Sequence, residues 1–317
     1  MKRVAYKSVM FFLLITAGAL LLQWLVDHGL KRMTAHCSTQ TTIAELQSDT
    51  LNADVLIIGN SRALCSYDPK VLENGLHRRV WNIGVSGQPF GISYMRYQLY
   101  ARCNRTPQLV IVNIDNNELD MIVNGFGREE FYPYFSDSTI RPYLDLYGFS
   151  WKHYFIPMYK YFGDYKLIGY GIMSSVGLYP FPKQHPYHGF YNENTPFDGT
   201  NLRTILNNGS VIKTDCNPEA IALLDNLLQE LRQQNTSLLF CYAPQYQPLY
   251  QRLPLSETMN AYRVLSRKYD IPIVDYSSVE WANDSTFFYN ANHINSRGAT
   301  LFSTRLVQAI DSLDLLH

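Results

Sequence analysis

From Met10 to Val26 the chain is an almost unbroken apolar run, interrupted only by Gln23. With Val9 in front, the run is about 27 Å long as a helix at 1.5 Å per residue, close to the thickness of a bilayer's hydrocarbon core. Lys2, Arg3 and Lys7 precede it, and Asp27, Lys31 and Arg32 follow. Cations on both sides give a modest positive-inside signal that favours a cytoplasmic N-terminus. The expectation is a single-pass anchor over 1–32, a polar stalk leading into a helix over 33–53, and a main domain outside the cytoplasm. A cleaved signal peptide is the alternative. The run exceeds a usual signal core, no small-x-small site follows it, and His36 spoils the sequence before Cys37 as a lipoprotein box.

The remainder is long enough for one large domain with a sizeable core. Lys+Arg and Asp+Glu are 27 each, so there is no basic excess of the kind that nucleic-acid binding requires. The five cysteines (Cys37, Cys65, Cys103, Cys216, Cys241) form no Cys-x-x-Cys or Cys/His cluster, so a zinc site is not expected. One disulfide is open to them in an oxidising compartment, and their odd number leaves at least one thiol over.

Five short β-rich runs read as buried parallel strands: Asp54–Ile58, Val80–Ile83, Leu109–Ile114, Ser237–Tyr242 and Ile271–Asp275. Helical patterns lie between them. The clearest opens on Asn217-Pro218, a cap followed by proline, and carries Ala220, Leu223, Leu224, Leu227, Leu228 and Leu231 on one face. Alternating strands and helices predict a doubly wound, flavodoxin-like three-layer α/β sandwich, which binds ligands at the carboxyl ends of its strands. The alternation breaks over about 124–205. Between Phe131 and Phe190 lie 19 of the chain's 44 aromatic residues, with six prolines. This insertion is read as a satellite core, as a sugar- or acyl-binding groove, or as a contact with membrane or partner.

Two motifs carry chemistry. Gly59-Asn60-Ser61-Arg62 follows the first strand, where a tight turn would put Ser61 at a helix N-terminus with backbone N–H groups beside it. Taken alone it is equally a turn and a helix cap. Near the C-terminus, Asn290-Ala291-Asn292-His293-Ile294-Asn295-Ser296-Arg297-Gly298 puts a histidine in a polar loop before the closing helix. No Gly-x-Gly-x-x-Gly follows the first strand and no Walker lysine is present, which argues against a nucleotide-binding domain of similar topology.

In order and spacing these motifs resemble the SGNH (GDSL-like) hydrolase and acyltransferase superfamily over about residues 54–310. Gly59-Asn60-Ser61 resembles its first block, and Asn82-Ile83-Gly84-Val85-Ser86-Gly87 its second. Asp115-Asn116-Asn117-Glu118 loosely resembles the third, and Asn290 to Gly298 the fifth. The resemblance implies Ser61 as nucleophile, His293 as base and Asn290 as the residue that orients the histidine. It implies an oxyanion hole from Gly87 and Asn117, with Asn116 as the other candidate, and no metal or organic cofactor. The leading anchor, the Gly-Asn-Ser-Arg-Ala opening and the insertion look like the membrane-linked branch with DltD-like and AlgJ/AlgX-like proteins. That branch implies acyl esters of envelope glycans as substrate and a multi-pass membrane O-acyltransferase as partner. One departure matters. The family places aspartate where this chain has Asn290, so either an asparagine-oriented enzyme or a catalytically inactive, glycan- or partner-binding domain is expected. Asp284, Asp275 and a backbone carbonyl are the other groups that could orient His293.

Overall fold

The computed structural model of the chain describes residues 2–116, 118–120, 127–208, 216–253 and 255–316. The described chain divides into two compact units. Met1–Ser38 with Gly125–His185 form one, and Thr39–Asn124 with Pro186–His317 form the other.

The larger unit is built on five parallel strands: β1 (Val55–Ile58), β2 (Val80–Asn82), β3 (Leu109–Asn113), β4 (Ser237–Tyr242) and β5 (Ile273–Asp275), in the order β2-β1-β3-β4-β5. This is the doubly wound α/β sheet expected, with the topological switch between β1 and β3. β1 and β3 are buried along their whole length, which is why they are unbroken runs of Val, Leu and Ile rather than alternating ones. The Pro218–Gln233 helix starts where the cap predicted. The Asn217 side chain accepts the Glu219 N–H, and Ala220, Leu224, Leu227, Leu228 and Leu231 are buried. The closing helix, Ser296–Ser312, buries Phe302, Leu306 and Ile310 in the same core as Val55, Ile57 and Ile111.

Residues 39–53 are no free stalk. Ile43, Leu46, Leu51 and Ala53 are buried, and the Thr42–Glu45 capping box opens a short helix. Residues from Pro186 onward, expected as part of the insertion, belong to the sheet unit. There Tyr191 donates its N–H to the Leu64 carbonyl and Asp198 donates its own to that of Tyr289. All five cysteines are free thiols.

The smaller unit joins the N-terminal helix, Lys2–Cys37, to the aromatic insertion. The helix is long and apolar enough to cross a membrane, and its apolar stretch is almost bare of protein contact. Its second half packs on the Tyr165–Ser175 helix at a glycine crossing: a Cβ on Gly29 would lie 1.7 Å from the Gly171 carbonyl oxygen. Phe131, Tyr132, Phe135, Phe149 and Tyr161 pack edge-to-face and tilted around this join, so part of the insertion is a satellite core. We expect Gly29→Leu, which must push the two backbones apart, to speed limited proteolysis within 125–185 by about tenfold or more, a loss of over 1.4 kcal/mol in local closure. Gly18→Leu, where nothing lies within 4 Å, should leave the cleavage rate unchanged.

Candidate active site

β1 ends in Gly59 at φ +151°, a backbone conformation that L side chains rarely adopt. A Cβ there would also press to 2.8 Å from the Ala63 Cβ and 3.0 Å from the Asn113 Cβ. Glycine thus permits the sharp corner into the Ser61–Ser66 helix. Asn60 caps that helix by accepting the Arg62 N–H at 3.1 Å, so Ser61 takes the first helical position. The loop after β2 is tied to this corner. The Asn82 side chain donates to the Ala63 carbonyl (2.8 Å) and accepts the Gly84 N–H (2.9 Å), and the Val85 N–H reaches the Gly59 carbonyl (3.0 Å).

His293 comes from the loop before the closing helix. Its Nε2 lies 2.9 Å from the Ser61 Oγ. Its Nδ1 lies 3.0 Å from the Asn290 Oδ1. That same oxygen accepts the backbone N–H groups of Asn292 (2.9 Å) and His293 (3.0 Å). Two backbone donors fix which end of the Asn290 amide faces the ring, because an NH2 group cannot accept them. The imidazole therefore carries its proton on Nδ1 and presents the Nε2 lone pair to the serine hydroxyl. The Tyr289 ring stacks on the imidazole at 5.3 Å between centroids, and its hydroxyl meets the Cys65 Sγ at 3.3 Å. Asp198 pairs through its backbone with Asn290, so the segment after the insertion braces the histidine loop.

The two aspartates considered as substitutes are committed elsewhere. Asp284 accepts the Thr286 N–H and Asp275 accepts the Ser277 N–H, each closing a turn. Asn290 is thus the residue on Nδ1. Burial first, and then the charge of Arg62, push the pKa of the His293 imidazole down to about 4.

Ser61, His293, Gly87 and Asn116 line one cleft of about 270 Å³, together with Asn60, Arg62, Gln88, Asp115, Asp120 and Asn292. Gly87 sits there at φ +66°. Of the two candidate oxyanion asparagines, Asn117 lies outside the described residues, and Asn116 lines the cleft. The Asn116 Oδ1 lies 3.0 Å from the Tyr242 hydroxyl, which is 2.8 Å from the Gln245 Oε1; the Gln245 Nε2 donates to the Asn292 Oδ1 at 2.9 Å. This chain of side chains links the loop after β3 to the histidine loop. Sequence reading missed Tyr242 and Gln245, whose only signal is the end of β4 and the polar turn after it, and gave no role to Asn292 within the histidine motif.

Arg62 was also missed as a site residue. It is fully buried, with its guanidinium 4.3 Å from the centre of the Tyr242 ring. It donates to the carbonyls of Ile114 and Ala243, at the ends of β3 and β4, and approaches the Asp115 carboxylate to 4.0 Å. A buried cation therefore lines the cleft with the Asp115 carboxylate beside it, and its charge disfavours protonation of His293.

No protein-family model matches the sequence, and a search of curated proteins found no match. Among solved structures, the fold is similar to a G-D-S-L family protein from Desulfitobacterium hafniense DCB-2 (TM-score 0.40, 12% identity, covering 80% of this chain and 97% of that one). It is also similar to a catalytic mutant of an acetylxylan esterase from Geobacillus stearothermophilus (TM-score 0.39, 13% identity, 81% and 93%). A third is an alpha/beta hydrolase enzyme from the metagenome of Lake Arreo, Spain (TM-score 0.40, 12% identity, 86% and 99%).

The pH dependence of serine reactivity follows from the geometry. The base is neutral, and so competent, above its pKa. Labelling of Ser61 by a fluorophosphonate should stay level from neutral pH to roughly pH 5, then fall with a midpoint near 4 while the fold persists by circular dichroism. Asn290→Asp adds a charge that favours the imidazolium, and should move that midpoint upward by about one to three units. A native midpoint near the ordinary histidine value of about 6.5 would show that Nδ1 and Arg62 do not control the base.

Proposed function

We propose that this chain is a membrane-anchored, extracytoplasmic SGNH-type serine esterase or O-acyltransferase that acts on short acyl esters of cell-envelope glycans. The reading rests on one observation: the Ser61 Oγ, the His293 Nε2 and the Asn290 Oδ1 follow one another at hydrogen-bond distances, in a cleft that Arg62 also lines. The cleft's small volume suits a short acyl group, and its mostly polar lining suits a hydroxyl-rich leaving group.

In the first half-reaction, the Ser61 Oγ attacks the ester carbonyl as His293 Nε2 takes its proton. The Ser61 and Gly87 N–H groups and the Asn116 amide NH2 hold the tetrahedral oxyanion, with the Arg62 charge beneath. His293 returns the proton to the departing alcohol, leaving an acyl group on Ser61. Water then enters for hydrolysis, or a sugar hydroxyl for transfer, and His293 repeats its role in reverse. Delivery of acyl groups by a multi-pass membrane O-acyltransferase fits this scheme as the partner of an anchored transferase.

Asparagine in the triad is compatible with turnover for a specific reason. In serine proteases the aspartate-to-asparagine change costs about four powers of ten, because the imidazole is then held in the wrong tautomer. Here the backbone N–H groups of residues 292 and 293 hold the right one. What is lost is the neutralising charge. That loss also motivates the second reading, a catalytically inactive domain that binds glycan or the acyltransferase partner.

Hydrolysis of 4-nitrophenyl acetate by the full chain in detergent separates the two. On the catalytic reading, Ser61→Ala and His293→Ala remove the activity, and Asn116→Ala lowers kcat by about 10²- to 10³-fold. Asn290→Asp should raise kcat at neutral pH. Equal, background rates for the native chain and Ser61→Ala would favour the binding domain.

A further inference from the structure

The apolar run of the N-terminal helix ends at Val26, and the first charge, Asp27, follows. The insertion grips the helix at this level. The side-chain oxygen of Gln23, the one amide in the run, accepts the Met158 N–H at 2.7 Å. Asp27 accepts from the Lys160 ammonium at 2.8 Å and from the Tyr161 hydroxyl. Farther along, the Arg32 guanidinium donates to the Ser175 carbonyl (2.8 Å), and the His36 carbonyl accepts the Gln184 N–H (2.8 Å). The insertion therefore ascends the helix in sequence order, from Met158 at Gln23 to Gln184 at His36, over about 20 Å of helix axis.

Large apolar side chains stand bare at the lower end of this ascent. Phe155 and Ile156 lie two to three residues from Met158, and Phe162 follows Tyr161; Phe155 and Phe162 are each 67% exposed. Tyr165 packs edge-on to Phe162 and is exposed, as is Trp24 on the helix itself. Lys152 and Lys166 are exposed beside them.

We propose that these residues form a collar seated in the interface of a phospholipid bilayer, with the aromatic rings at the edge of the hydrocarbon and the two lysines toward lipid phosphates. The inference rests on reading the N-terminal helix as a membrane anchor. Continuity selects lipid as the occupant. The bare stretch of helix below Gln23 needs hydrocarbon around it, and the collar is bonded to that helix at the end of the apolar run, where aromatic and cationic side chains favour a membrane interface. The insertion is then a second membrane contact, which fixes the rotation and depth of the anchor rather than leaving it a passive tether.

The test places a photoreactive benzoyl-phenylalanine at Leu14, Phe155, Phe162 or Phe181 of the full chain. Each protein is reconstituted in vesicles of phosphatidylethanolamine and phosphatidylglycerol, irradiated and weighed by mass spectrometry. Leu14 lies within the apolar run. Phe181, also exposed and apolar, belongs with Cys37, about 20 Å beyond Trp24 along the helix. The expected result is lipid adduct at Leu14, Phe155 and Phe162, about tenfold above Phe181. Lipid adduct at Leu14 but only background at Phe155 and Phe162 would overturn the collar and leave the anchor standing. Cross-links from Phe155 or Phe162 to a second copy of the chain would also overturn it. No lipid adduct at Leu14 would overturn both the anchor and the collar.

Discussion

A single amide oxygen organises the candidate site of this protein. The Asn290 Oδ1 receives two backbone N–H groups from its own loop and the Nδ1–H of His293. If the amide turned over, its NH2 group would face those three donors and the loop would lose all three bonds. Backbone geometry, rather than side-chain charge, therefore enforces the tautomer. The lone pair on Nε2 and its 2.9 Å approach to the Ser61 hydroxyl both depend on it.

This arrangement trades one form of electrostatic help for another. A triad carboxylate stabilises the imidazolium that forms as serine attacks. Here that charge is missing, and Arg62 lines the cleft. In the mechanism proposed, the cation that makes imidazolium harder to form would favour the oxyanion. Its charge, with burial, extends the range in which His293 is neutral well into acid. Bonds to carbonyls at the ends of β3 and β4 tie the Arg62 guanidinium to the sheet.

The sheet, the corner at Ser61 and the histidine loop were legible in the sequence because each has a local physical cause. β1, β3 and β4 are buried and read as continuous apolar runs, and Gly59 is needed where no other residue fits the turn. Ser61, His293 and Asn290 meet because their motifs sit at the ends of elements with fixed places in a doubly wound fold. What sequence could not give were contacts between distant loops. The Asn116–Tyr242–Gln245–Asn292 chain joins three segments, and no periodicity records it. Gln23 looked like a blemish in an apolar run; its partner, Met158, lies 135 positions away. The boundary of the insertion was misread for a similar reason. Pro186 to Thr200 has no regular pattern, yet its backbone pairs with Leu64 and with the histidine loop.

In the mechanism proposed, Ser61 forms a covalent acyl intermediate with His293 as its base. Acid-quench mass spectrometry of the full chain after mixing with an activated acetyl ester reads that intermediate. The expected result is an acetyl group on the peptide bearing Ser61 in the native protein, and none there in His293→Ala. A folded native chain whose Ser61 peptide stays unmodified at every quench time, or one acetylated equally without His293, would contradict it.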